Sequence, residues 1–383
     1  MKRFLAISLF LFSFGFVGAQ TLSENARISL LSCGYGKELY AQFGHTGIRI
    51  QDPDLHIDWV FNYGTFNYET EGFYLKFVKG ITDYQLGFDL AVDFFIRYKY
   101  RDISVWEQHL ALSAEEKQRM FDALMHNFKP ENRFYRYNFV YDNCATRPRD
   151  MIELAVQDSV LYTNKNEQQT FRQLIAECVG TDTWNKFGID IVLGSSADKL
   201  ATDREKMFLP LELMFYLKAA KRYNGTLLVS KTDAVYISSE QDISAASLPK
   251  PIVLAFTLLF LVVVIGYLGR NKTMIWLDML LFGVCGLMGV VVFYLNFFSL
   301  HPLVSENYNL LWLNPLQLIF ALLLPFKKIR TVLGNFHYIN LLSLLFALAG
   351  FVFLPQAFNI AFLPLMLLLF SRSLFIIYYQ RRN

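Results

Sequence analysis

The sequence changes character at Pro249-Lys250-Pro251. Beyond that point five apolar stretches follow, over residues 252–268, 274–298, 309–326, 336–354 and 357–379. Each is near the ~20 residues that cross a bilayer as a helix. A backbone in hydrocarbon must satisfy its own hydrogen bonds, so residues 251–383 are expected to form an all-α, five-helix transmembrane domain. The third stretch is interrupted by Asn309, Asn314-Pro315 and Gln317. Excess Lys and Arg mark the cytoplasmic side. Placing Arg270 and Lys272, Lys327, Lys328 and Arg330, and Arg381 and Arg382 inside leaves residues 299–308 and 355–356 outside, free of both residue types.

That topology puts everything before residue 250 outside the cytoplasm, and the N-terminus agrees. Lys2 and Arg3 precede an apolar core over residues 4–16, and Val17-Gly18-Ala19 supplies small residues before Gln20. This is the pattern of a secretory signal peptide over residues 1–19, with an apolar core short for a membrane span. No Cys follows the core, so the signal is not itself of the lipoprotein type. Charge argues against a nucleic-acid partner: the first 250 residues hold 28 basic and 31 acidic residues, and the remaining basic excess is strung between apolar segments. Phosphate neutralisation needs a clustered basic face.

Residues 20–250 are long enough for a core of their own. The first half reads as strands, over 27–32, 46–50 and 57–62, punctuated by Gly34, Gly36, Gly44 and Asp52-Pro53. The second half reads as helices. Ser113-Ala-Glu-Glu116 is a capping box opening a helix to Phe128, and Thr202-Asp-Arg-Glu205 is another, ahead of a kink at Pro210. Residues 133–141 read as extended, and a further helix starts near Asn143 and runs through Val156.

Three of the four cysteines, Cys33, Cys144 and Cys178, lie in this exported part; Cys285 lies in an apolar stretch. No CxxC and no Cys/His spacing suggests a metal, and no cofactor is called for. An oxidising compartment allows one disulfide and one thiol. Cys144, in Tyr141-Asp-Asn-Cys-Ala-Thr-Arg-Pro-Arg-Asp150, stands where an extended segment turns into a helix, with Asp142 or Asn143 as cap. The positive end of the helix dipole, with Arg147 and Arg149, would favour a thiolate there, and unpaired N–H groups would hold an oxyanion. Cys144 is thus either a nucleophile or a partner of Cys33 or Cys178 in a bridge. His45, in Phe43-Gly-His-Thr-Gly-Ile-Arg-Ile50, is the matching base, ahead of His56, His109 and His126, the last two placed in or beside helical sequence. A third polar group must orient the imidazole. Asp58 and Asn62 share one face of the next strand, and spacing does not choose between them.

With His on a strand first and Cys at a helix start second, the chain resembles circularly permuted papain-like (NlpC/P60-like) folds. More specifically, the run from Leu30 to Arg49 containing Cys33 and His45, Phe61-Asn-Tyr-Gly-Thr-Phe66, Phe73-Tyr-Leu-Lys-Phe-Val78 and the Cys144 segment resemble the Lnb-like lipoprotein N-acyltransferase family of Bacteroidota. His301-Pro302 and Asn309-Leu-Leu-Trp-Leu-Asn-Pro315 resemble its membrane part. The resemblance implies an α+β papain-like exported domain at the inner membrane. It would move an acyl chain from a phospholipid to the α-amine of a diacylated lipoprotein, with Cys144 as nucleophile and His45 as base. Asn309, Asn314 and His301 would then touch lipid headgroups, or simply form a kinked helix and a solvated turn. Two other functions fit the same residues: an exported cell-wall cysteine peptidase or amidase, and a non-enzymatic membrane sensor or scaffold with its cysteines in disulfides.

Overall fold

The computed structural model describes residues 20–157, 159–239, 249–268, 271–326 and 330–380. The signal segment and the basic positions Arg270, Lys327, Lys328, Arg381 and Arg382 lie outside these residues. The exported part is built on strands β1 (Arg27–Cys33), β2 (His45–Asp52), β3 (Ile57–Thr65), β4 (Asp83–Leu90), β5 (Val105–Leu110), β6 (Phe134–Arg136), β7 (Val160–Leu161), β8 (Lys221–Arg222) and β9 (Val229–Tyr236). Seven of them form one antiparallel sheet in the order β6-β4-β3-β2-β1-β5-β9; β7 and β8 pair separately. Helices α1 (Phe73–Lys79), α2 (Ala91–Tyr100), α3 (Ala114–Phe128), α4 (Thr146–Val156), α5 (Phe171–Val179), α6 (Trp184–Val192), α7 (Asp203–Lys206) and α8 (Pro210–Lys218) surround it.

Alternation along β1 to β3 explains both faces of the sheet. Ile28, Leu30, Ile48, Ile50 and Phe61 meet Met120, Phe121 and Leu124 of α3 and Met151 and Ile152 of α4. Leu31, Cys33 and Val60 point the other way, against Phe94 and Tyr98 of α2. Both capping boxes form: Ser113 Oγ accepts from Glu116 N–H while the Glu116 carboxylate accepts from Ser113 N–H, and Thr202 and Glu205 do the same. Pro210 does not kink the helix that starts at Thr202. That helix ends after one turn, and Pro210 opens α8, where its missing N–H costs nothing. The chain also returns to the sheet at β9, which pairs with β5 and places His109 on a strand, not in helical sequence.

The second part holds α9 (Pro251–Leu268), α10 (Asn271–Phe298), α11 (Leu316–Leu323), α12 (Arg330–Phe353) and α13 (Phe362–Gln380). Segments Met274–Phe298 and Gly334–Phe353 are long and apolar enough to cross a bilayer. Large apolar side chains face outward, among them Phe260, Trp276, Leu342 and Val352, the surface a lipid environment accepts and water does not. The third stretch departs from expectation. It is a 3-10 turn, Tyr308–Leu311, followed by an eight-residue helix, a rise of about 12 Å, which is short of the ~30 Å hydrocarbon core. The cause lies at Asn314-Pro315: the Asn314 side chain accepts from Leu316 N–H and starts the helix afresh.

Charged and polar residues are stitched inside this helical part. Arg372 of α13 forks onto Asp278 of α10, both buried. Gln317 donates to Asn340, which donates to Ser373, whose hydroxyl also meets His337. Outer loops fasten the two parts together. Asn309 donates to the carbonyls of Asp190 and Ile191, Asn307 to those of Ile191 and Val192, and Gln356 to Leu193. Gly194 N–H donates to Leu303 O. Beneath this seam the Arg172 guanidinium binds Asp190 and Asp198 and the Gly194 carbonyl. Asn309 therefore serves docking, with its side chain buried away from any headgroup, and Asn314 serves helix initiation.

Candidate functional site

His45 opens β2, opposite Cys33 of β1 and next to β3. Its Nε2 lies 3.1 Å from Asn62 Oδ1, and Asn62 Nδ2 donates to Asp89 Oδ2 at 2.8 Å. Arg97 of α2 pairs with the Asp89 carboxylate. Four residues from four elements thus form one line, His45–Asn62–Asp89–Arg97. Asp58 is on the same face of β3 as Asn62 and is not in that line. Its carboxylate is held bidentately by Arg49 at 2.7 and 2.8 Å. Four residues of strand place it about 13 Å further along, so only Asn62 can meet the imidazole.

Cys144 lies in the turn that leads into α4. Asn143 is the cap: its Oδ1 accepts from Ala145 N–H and Thr146 N–H, and its carbonyl accepts from Arg147 N–H. The Asn143 amide in turn donates to Phe139 O and Phe208 O, which fixes the turn against the rest of the domain. Backbone N–H groups of Thr46 and of Cys144 itself face the sulfur. Gly64 of β3, with φ +89°, sits against Cys144; a Cβ there would lie 3.2 Å from the Cys144 Cβ. The sulfur is therefore beside Thr46, the residue after His45, and beside Gly64, two residues after Asn62.

Electrostatics here run against the sequence expectation. Burial pushes the Cys144 thiol up to about 11, a cost that the two N–H groups offset only in part. The arginines do not help, because they are engaged elsewhere: Arg147 forks onto Asp142 and lies over the Tyr135 ring, and Arg149 binds Asp150 and Arg204 O. Burial also pushes the His45 imidazole down to about 4, against the opposing pull of Asn62 and Asp89. The resting pair at neutral pH is an uncharged thiol and an uncharged imidazole. Desolvation outweighs the helix dipole.

All four cysteines are free thiols, so the bridge that the compartment allows is not formed, either by Cys144 or between Cys33 and Cys178. Cys33 is fully buried, with its thiol raised by burial and hydrogen-bonded to Tyr98. Cys178 is buried and donates to Leu174 O. His109 pairs with Asp233, His126 with Asn132, and His56 occupies the turn between β2 and β3. None of them joins the line above. Sequence reading gave no role to Asp89, to Gly64 or to the aromatic wall, in which Tyr84 and Tyr137 stack at 4.0 Å and would both feel a negative charge formed at Cys144.

Comparison with known proteins gives two matches in chain order. Residues 18–177 match the family described as the Lnb N-terminal periplasmic domain. Residues 243–383 match the family described as the Lnb transmembrane domain. No curated protein and no solved structure matches the chain.

Proposed function

The chain belongs to the Lnb family, a membrane protein with an exported domain, and from that premise we propose that it is a lipoprotein N-acyltransferase of the inner membrane, working through a Cys144 thioester. The observation that carries the proposal is a thiol under two backbone N–H groups, one of them from the residue that follows an imidazole held by Asn62, in a domain fastened to apolar helices by their outer loops.

The chemistry follows from the resting charges. As the sulfur attacks the ester carbonyl of a phospholipid, His45 Nδ1 takes the thiol proton, so charge separates only along the reaction path. The backbone N–H groups of Thr46 and Cys144, which face the sulfur, would hold the negative charge that develops on the carbonyl oxygen. Imidazolium then protonates the glyceryl oxygen, the C–O bond breaks, and a lysophospholipid leaves. The α-amine of a diacylglyceryl-cysteine attacks the thioester, gives its proton to His45 and releases Cys144 as the thiol. An α-amine titrates near 8, so a base is useful at neutral pH. Asn62 holds the imidazole, and Asp89 holds Asn62. Excluding water favours the amine over hydrolysis.

A cell-wall peptidase would use the same Cys144 and His45, but the fused helical part supports a lipid substrate. A cell-based test separates them. Cells relying on Cys144→Ala or His45→Ala protein should accumulate lipoproteins with a free α-amine, read by mass spectrometry of N-terminal lipopeptides. Fully N-acylated lipoproteins in those cells would rule the proposal out.

A further inference from the structure

Helix α1 is built unlike the rest of the exported domain. Only Phe73 of its seven residues is buried; the rest are exposed, with Tyr74 at 70% and Leu75 at 72%. Phe77 and Val78 are exposed as well, interleaved with Lys76 and Lys79. A seven-residue helix that packs one side chain is not stable by propensity alone. Its end is instead held by the chain that leaves α10. Ser299 Oγ donates to Val78 O at 2.8 Å, Leu300 N–H to Lys79 O at 2.9 Å, and the His301 ring meets Phe77 O at 2.7 Å. The final three carbonyls of α1 are thus all satisfied from residues 299–301. Gly80, at φ +72°, permits the approach: a Cβ there would lie 3.0 Å from His301 N.

Because α10 ends at Phe298, this contact fixes α1 at the outer mouth of the helical part, where its apolar side chains have no protein to cover them. Aromatic contacts run inward from it. Phe77 packs on Phe73, Phe73 on Phe66 at 5.6 Å, Phe66 on Tyr84 at 4.8 Å, and Tyr84 on Tyr137, both of which would feel a negative charge formed at Cys144. We propose that α1 is the surface on which the protein takes a phospholipid from the outer leaflet, with Tyr74, Leu75, Phe77 and Val78 among the acyl chains and Lys76 and Lys79 at the phosphates. Mixed apolar and basic character on one short helix suits the interfacial zone. The His301 side chain serves this arrangement by pinning α1. The lipid-contact claim needs only the position of α1; its link to Cys144 rests on the acyltransferase reading above.

Two readouts test the two halves separately. The full-length protein, in nanodiscs of phosphatidylethanolamine and phosphatidylglycerol, would carry a photoreactive diazirine side chain in place of Leu75 or, as control, of Tyr223, exposed on the turn beyond β8. Lipid adducts are expected at position 75 and not at 223. Equal labelling at both positions, or labelling of a protein partner alone in cells, would overturn the surface. Leu75→Glu should raise the KM for vesicle phospholipid by about tenfold, the weight of one buried Leu side chain. The rate at which Cys144 is acylated by a short-chain, water-soluble thioester should stay unchanged. An unaltered KM would sever α1 from the reaction even if the labelling held, whereas loss of both activities would mean that the domain is damaged and that labelling alone decides.

Discussion

His45 Nε2 faces Asn62 Oδ1 at 3.1 Å, and this pairing decides which imidazole nitrogen is left bare to accept a proton. The Asp89 carboxylate only accepts, so the Asn62 amide must turn Nδ2 toward it, leaving Oδ1 for the ring. Nε2 then carries the proton, and Nδ1 is bare. Asp89 acts on the imidazole at one remove, and Arg97 anchors Asp89.

This arrangement separates the two strand carboxylate and amide positions experimentally. If His45 is the base proposed above, Asn62→Ala should lower kcat by about tenfold or more while leaving KM for phospholipid near its starting value, because the imidazole loses its tautomer and aim. Asp89→Asn should follow it in the same direction with a smaller effect, since an amide at 89 can accept or donate and no longer dictates the Asn62 orientation. Asp58→Asn should leave kcat unchanged and instead lower thermal stability, by about 1 kcal/mol for a weakened Arg49 fork. Steady-state kinetics and melting curves of the three variants check the assignment. A large kcat loss at Asp58 with none at Asn62 would reverse it.

The uncharged resting pair predicts a particular pH behaviour. With the thiol pushed up to about 11, alkylation of Cys144 by iodoacetamide should be slow at neutral pH and keep climbing above pH 9. An alkylation plateau between pH 5 and 8 would mean a thiolate–imidazolium pair. His45 adds a stability effect with a definite sign. Its folded value, about 4, lies below the 6.5 of a free imidazole, so the unfolded chain binds the proton first on acidification. The contribution, up to about 3 kcal/mol, is present above pH 6.5 and lost as pH falls toward 4. Melting of His45→Gln protein should be correspondingly less acid-sensitive than that of the native chain.

Docking of the exported domain on the outer loops should fail at one glycine. A Cβ on Gly194 would lie 1.9 Å from Ser305 O and 2.7 Å from Ser305 C, and both are backbone atoms. Gly194→Ala must push the loop away, at a cost of about 1–3 kcal/mol, and break the Gly194 N–H to Leu303 O bond beside it. Lower melting temperature and faster proteolysis near residue 194 are expected, with alkylation of Cys144 by iodoacetamide unaltered. Native-like protease resistance would show that the seam does not hold the two parts together.

Features set by neighbouring residues were legible in the sequence. The Ser113 and Thr202 capping boxes depend on residues three apart, and both form. His45 and Cys144 could be singled out because flanking glycines and a helix start are local patterns. Asn62 could not be separated from Asp58 without the register of β2 against β3 and the reach of Arg49. Asp89 was invisible because it joins the site only through the pairing of β3 with β4. The thiolate expectation at Cys144 failed for a related reason: the helix dipole is local, whereas burial by the whole domain is not. Asp278 and Arg372, 94 positions apart, likewise became a pair only when α10 met α13.

The most direct measurement is the mass of the protein after exposure to phospholipid. Purified full-length chain incubated with phospholipid should gain one long acyl group on Cys144, removable by hydroxylamine, and Cys144→Ala protein should gain none. Adding a diacylglyceryl-cysteine peptide should discharge that group and yield a triacylated peptide whose new amide resists hydroxylamine. A protein that takes up no acyl group and yields no triacylated peptide, yet cleaves peptidoglycan peptides in a Cys144-dependent manner, would contradict the account.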